Sequence, residues 1–204
     1  MKPTTVLTYV VIVAVILIAV FSLFTADAPE VESNYIEEIK THRHQVDSFM
    51  RTNKKSPFIE QNVAFQQLKY FEIDETFKVR ASVEPTEDGK IYNLKTSDDK
   101  TQTFQDVAIL HFDILNSHQD LTLLQSAIDG SFFLSFYDES SAITTYGAGR
   151  YLEIDYKKGM QQVVLDFNKA YNPYCAYTDG YSCPVPPPEN SISIPINAGE
   201  KNYE

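Results

Sequence analysis

The chain has 204 residues, 43% of them hydrophobic, with 17 basic and 28 acidic side chains and a net charge of −11 at neutral pH. That balance suits one ordinary globular domain with something added, and it excludes a disordered or repetitive chain. The acidic excess repels phosphate backbones and anionic headgroups, so nucleic acid is not an expected partner.

The added part comes first. From Val6 to Phe24 the sequence VLTYVVIVAVILIAVFSLF runs without a charge, about the ~20 residues a helix needs to cross a bilayer core. Ala26 and Ala28 make an A-x-A-like cleavage site. The apolar run is longer than the ~7–15 residues of a signal core, however, and Pro29 would follow the cut directly. An uncleaved transmembrane anchor over residues 1–24 is therefore expected. Lys2 precedes the span, and Asp27, Glu30, Glu32, Glu37 and Glu38 follow it before Lys40. Cationic flanks stay in the cytoplasm, which predicts an N-in anchor with the body extracytoplasmic, in the periplasm or at the cell surface. Without residues 1–24 the chain loses only Lys2 of its charges.

Residues 25–33 read as an acidic tether and 34–204 as one β-rich domain. A helix is predicted from Asn34, where Asn34 and Glu37 form a capping box. Tyr35, Ile39, Val46, Phe49 and Met50 share one face of it, and it ends near Arg51. A second short helix starts at Ser56-Pro57, with proline at its first position, and runs toward Leu68. The period then becomes two. Strands are predicted over 76–84, 90–94, 103–112, 121–126, 131–137, 150–156 and 161–167, with turns at Asp88-Gly89, Asp129-Gly130 and Lys157-Lys158-Gly159. Short strands without helical crossovers predict an antiparallel sandwich or open barrel with the helices to one side.

The segment from Asp166 to Asn190, DFNKAYNPYCAYTDGYSCPVPPPEN, holds both cysteines and five of the ten prolines. So long a connection inside a compact domain is usually functional. Pro184 and Pro186 to Pro188 stiffen it, and Cys175 and Cys183 are expected to staple it as a disulfide in an oxidising compartment. The alternatives are free thiols, or a metal held by both thiolates with His111 or His118. No CxxC spacing supports the latter, so neither metal nor cofactor is expected.

A three-residue loop at Lys157-Lys158-Gly159 places Arg150 opposite Asp166. The pair is either a structural ion pair fixing register or an arginine clamp for an anion, oriented by Asp166. The glycines at 147 and 149 lack the spacing of a phosphate cradle and suggest a bulge. Asp138 and Glu139 end a strand nearby, where carboxylates are solvated caps or an acid–base pair.

FYDESSAITTYGAGRYL from Phe136, VVLDFNKAYNPYCAY from Val163, CPVPPPEN from Cys183 and AGEK from Ala198 resemble the family catalogued as domain of unknown function 1684. The match spans roughly 136–201. The resemblance implies no catalytic residues, because the family's activity is not established. Two functions follow as expectations. The leading one is binding of a small ligand or an envelope protein through the 166–190 loop and Arg150, since tyrosine offers rigid contact area with a polar tip. The other is a hydrolase-like enzyme using Asp138, Asp166 or Glu200 with Arg150. Candidate site residues are Asp138, Tyr146, Arg150, Asp166, Asn168, Tyr171, Asn190, Glu200 and Lys201. If these groups prove fully paired inside the protein, the enzyme reading fails.

Overall fold

The computed structural model describes residues 30–203. The chain divides into two compact units, Met1–Glu37 and Glu38–Glu204. The opening turns of the first helix, from Glu30, are the described part of the first unit; the strands and the cavity belong to the second. The spanning helix expected over residues 6–24 lies outside the described residues. Among the described residues no helix is long and apolar enough to cross a membrane. The described residues form a mainly β fold with an N-terminal helix, and they give no support to the transmembrane helix and N-in membrane anchoring expected from the sequence.

Helix α1 spans Glu30–Thr52. It begins before the expected capping box, so Asn34 lies within the helix and caps nothing. Ile39 and Met50 are buried, as the apolar spacing predicts. Helix α2, Pro57–Glu60, is a single turn: the Ser56 side chain accepts from Phe58 N, and proline stands in the first turn. Ser56 also donates to Met50 O, which locks the turn between the helices. Helix does not continue toward Leu68, because Gln61 closes it and Asn62 takes a left-handed φ of +53°. Instead Met50, Phe58, Leu68 and Tyr177 form a small core of their own.

Nine strands follow: β1 Lys78–Pro85, β2 Ile91–Lys95, β3 Thr101–Ile114, β4 Ser117–Ser126, β5 Phe132–Phe133, β6 Ser135–Asp138, β7 Arg150–Tyr151, β8 Gln162–Asp166 and β9 Ser191–Ile192. The larger sheet runs β5-β4-β3-β1-β8, with β2 also on β3; the smaller runs β7-β6-β9. Both sheets bury one core, in which Ala81, Leu110 and Leu121 meet Phe136, Phe167 and Ile192. β3 carries the architecture. Its first half pairs with β2 (Tyr92 opposite Phe104) and its second with β1 (Val83 opposite Leu110), so the two strands lie end to end along one edge. Asp88-Gly89 therefore bends the chain from one partner position to the next and closes no hairpin between β1 and β2. The middle of β4 is covered on both faces: Leu121 and Leu123 enter the main core, and Leu124 joins Tyr92, Leu94 and Phe104 on the other side.

Two pairings depart from expectation. β6 and β9 are parallel, with Tyr137 opposite Ser191. The hairpin at Lys157-Lys158-Gly159 does not form: Gly159 takes a φ of +97° and Met160 N–H donates to Lys157 O, as in a turn. Its arms then separate. β8 pairs with the free edge of β1, and Arg150 pairs across to Phe136. Asp166 consequently faces Lys78 rather than Arg150.

Candidate functional site

A cavity of about 970 Å³ opens between the second half of α1, β8 and the segment that follows β8. Glu38, His42, Gln45, Val46 and Phe49 line it from the helix. Their spacing places them on one face, a stripe that changes from polar to apolar along its length. Tyrosines form much of the opposite wall: Tyr151, Tyr171, Tyr174 and Tyr181, with Tyr70. Tyr151 and Tyr171 meet edge to face at 5.8 Å and 86°, and Tyr174 and Tyr181 at 5.2 Å and 81°. Three of the hydroxyls are tied down, Tyr151 to Pro184 O at 2.6 Å, Tyr171 to Glu153 at 2.7 Å and Tyr181 to Glu60 at 2.6 Å. Rings anchored at both ends present preformed apolar surface, as ligand sites of ~300–1,000 Å³ do.

Charge around the cavity is mostly negative. Glu38, Glu153, Asp155, Asp166 and Glu200 face Lys78 and Lys169. Lys169 Nζ lies 2.7 Å from Glu38 and 4.0 Å from Asp166, which partly neutralises it. The hydrogen bond from Lys169 holds the Glu38 carboxyl below its usual range. Burial, aided by Lys169, lowers the pKa of His42, so the imidazole is neutral at pH 7.

Glu200, also on the lining, is 1% exposed. Its Oε2 accepts from Asn172 N–H at 3.0 Å and from the Tyr177 hydroxyl. Burial nevertheless pushes its pKa up to about 7. A carboxyl raised in this way favours the folded state most when protonated. Its contribution is full below the unfolded value near 4.5 and is lost as pH rises through about 7. Relative to Glu200→Gln, the native chain should lose about 3 kcal/mol between pH 4.5 and pH 8, measured by urea unfolding. Parallel pH profiles for the two proteins would contradict this.

Of the nine candidate residues, Asp166, Asn168, Tyr171 and Glu200 line the cavity, and Asp138, Tyr146, Arg150, Asn190 and Lys201 do not. The second group has internal work. Arg150, 1% exposed, donates to Asp138 Oδ2 at 2.9 Å, Ile196 O at 2.8 Å, Glu200 O at 3.2 Å and Ala198 O. It therefore fastens the C-terminal segment and cannot clamp an outside anion. Asp138 also accepts from Ser140 N and Ile196 N. Asn190 Nδ2 donates to Thr122 O and Ser135 O, both at 2.9 Å, while its Oδ1 accepts from Thr122 N at 2.7 Å. Lys201 Nζ sits 4.8 Å over the Phe71 ring. Asp166 caps the turn at Phe167–Lys169 through Asn168 N, and Asn168 exchanges two bonds with the Asp74 backbone. These acids and amides have internal partners, and Asp138 and Arg150 do not share the cavity with Asp166 and Glu200.

Cys175 and Cys183 are free thiols, and the expected disulfide is corrected to a hydrogen-bonded contact. Cys175 N–H points at Cys183 Sγ at 3.4 Å, and the Tyr146 hydroxyl lies 3.7 Å from Cys175 Sγ. The bond from Cys183 draws the Cys175 thiol down to about 6 and pushes its partner up. What holds the loop instead is the turn between β2 and β3. Ser97 N–H donates to Cys183 O at 2.9 Å and Cys183 N–H to Ser97 Oγ at 3.1 Å. Ser182 Oγ reaches Asp98, Gln102 donates to Ser182 O, and Val185 N–H donates to Lys95 O. Such edge pairing satisfies the backbone of an irregular segment without a covalent staple.

The helix contribution escaped the sequence reading, which assigned no role to Glu38, His42 or Gln45. The signal was present: their stripe continues the apolar face through Val46 and Phe49, so polar groups there look inward.

No curated protein matches the chain. An uncharacterised protein of Haloarcula marismortui, solved by NMR in solution, is similar at 32% identity and a TM-score of 0.64, over 85% of this chain and 97% of its own. The family model described as "Protein of unknown function (DUF1684)" matches residues 63–201, which takes in the strands, the tyrosine side of the cavity and the pinned C-terminal segment, and the chain belongs to that family.

Proposed function

We propose that this domain reversibly binds a small amphipathic organic cation in the tyrosine-walled cavity. The observation that carries the reading is the pairing of aromatic walls with an acidic lining: Glu38, Glu153, Asp155 and Asp166 against two lysines around about 970 Å³, with Glu200 titrating near 7. Aromatic faces attract cations, most strongly where water is excluded, and surplus carboxylate raises the local concentration of positive solutes. An anionic ligand would have to compete with the lining's own carboxylates for Lys169, which is paired with Glu38, while Arg150 is enclosed by Asp138 and backbone carbonyls.

The test uses probes with one body and opposite heads. Benzyltrimethylammonium and phenethylamine should bind, with dissociation constants of roughly millimolar for fragments of this size. Phenylacetate should bind at least tenfold more weakly by isothermal titration. Tyr181→Leu, in a half-buried part of the wall, should weaken the cationic probes about three- to tenfold and leave folding intact. Equal affinity for both charges, or no change in Tyr181→Leu, would overturn the proposal.

A further inference from the structure

On the face of the large sheet opposite the core, we infer a divalent-metal site formed by His111, His118 and Asp120. His111 lies on β3, where it alternates with buried Leu110 and Phe112; His118 and Asp120 lie on β4, flanking buried Gln119. Register sets the arrangement, with His111 opposite Asp120 and His118 opposite Asp113. Asp120 Oδ1 stands 2.6 Å from His111 Nδ1 and 3.4 Å from His118 Nε2. One donor atom from each of the three residues falls within 4.8 Å of the others. Small rotations of exposed side chains bring such a set to the ~2.0–2.2 Å ligand distances of zinc.

The remaining ring nitrogens make the stronger argument. His111 Nε2 is 2.9 Å from Glu84 Oε2, and His118 Nδ1 is 2.9 Å from Asp113 Oδ1. Both nitrogens of both rings thus face carboxylate oxygens. Imidazolium rings, with two N–H groups each, satisfy all four contacts, and the Asp120 and Glu84 carboxylates do favour the protonated form of His111. The same geometry serves a cation in front of Asp120: Glu84 and Asp113 then take one N–H from each ring, and the two lone pairs point at the metal. A carboxylate behind each metal-bound histidine is the usual device for fixing its tautomer. Two imidazoles and one carboxylate suit zinc, nickel or copper rather than calcium or magnesium. With side-chain exposures of 27%, 63% and 56% for His111, His118 and Asp120, the site is open to solvent and keeps positions for water.

Isothermal titration of the chelator-treated full chain with zinc chloride, in a buffer that does not bind metal, should give one equivalent with a dissociation constant at or below about 10 µM, in keeping with ordinary affinity scales. His118→Ala should weaken binding at least tenfold. Glu84→Gln, which leaves all three ligands in place, should weaken it about tenfold through the orientation of His111. A Cys175→Ser, Cys183→Ser double variant should bind as the native chain does. Circular dichroism of each variant confirms folding. Absence of saturable binding below 1 mM, zinc affinity unchanged in His118→Ala, or loss of binding in the cysteine variant would each overturn the assignment.

Discussion

Replacing Arg150 by methionine is expected to destabilise the fold by about 3–5 kcal/mol, the range for breaking a buried ion pair. Methionine fills much of the space but donates nothing. Asp138, whose side chain is 1% exposed, loses its ion-pair partner. The carbonyls of Ile196, Ala198 and Glu200 lose their donor in the same step. Arg150→Lys should fall between, because lysine restores the charge but cannot spread donors over four acceptors as the planar fork does. Urea unfolding at pH 7 measures both. A loss below 1 kcal/mol for Arg150→Met would show that Arg150 does not fasten the C-terminal segment.

Asn190→Ala should cost about 2–4 kcal/mol, since three buried backbone groups are left without partners. Asn190 is fully buried, and its amide spans from the middle of β4 to the start of β6 through Thr122 and Ser135. It therefore ties one sheet to the other at the end of the proline-rich segment. The Thr122 amide donates to Asn190 Oδ1, so its hydrogen exchange should accelerate more than that of Leu110, deep in the same sheet. Asn190→Asp should resemble the alanine variant, because a carboxylate keeps the acceptor but loses both donors. Native stability in either variant would contradict this role.

The parts of the fold legible in the sequence are those set by local period. Ala81 and Val83 in β1, and Leu110 and Phe112 in β3, alternate inward as their spacing predicts. Asp129-Gly130 turns β4 into β5, with Gly130 at a φ of +71°. Partner choice was not legible. Nothing near Lys157-Lys158-Gly159 reveals that β8 will take the edge of β1, whose strand begins more than eighty positions earlier.

The candidate site shows the same boundary between local and distant information. Arg150, Asn190 and Glu200 were singled out by residue type and are all buried. Apart from Asp138 and the Tyr177 hydroxyl, their partners are main-chain groups, and these could not be inferred because a carbonyl or amide carries no sequence signature. Cys175 and Cys183 were correctly placed on one loop, yet the loop is held by Ser97, Gln102 and Lys95 from an unrelated turn. The cavity draws on α1, β8, the tyrosine segment and Glu200. Only the folded chain joins them.

The central claim is that the cavity between α1 and the tyrosine segment receives the ligand, while Arg150 and Asn190 hold its frame. Amide NMR during titration of the full chain with benzyltrimethylammonium tests it most directly. Saturable shifts should appear at His42, Phe49, Tyr171 and Tyr181 with one common dissociation constant, and the amides of Leu110 and Thr122 should stay in place. Shifts centred on Tyr137 to Arg150, or none at those four positions, would contradict it.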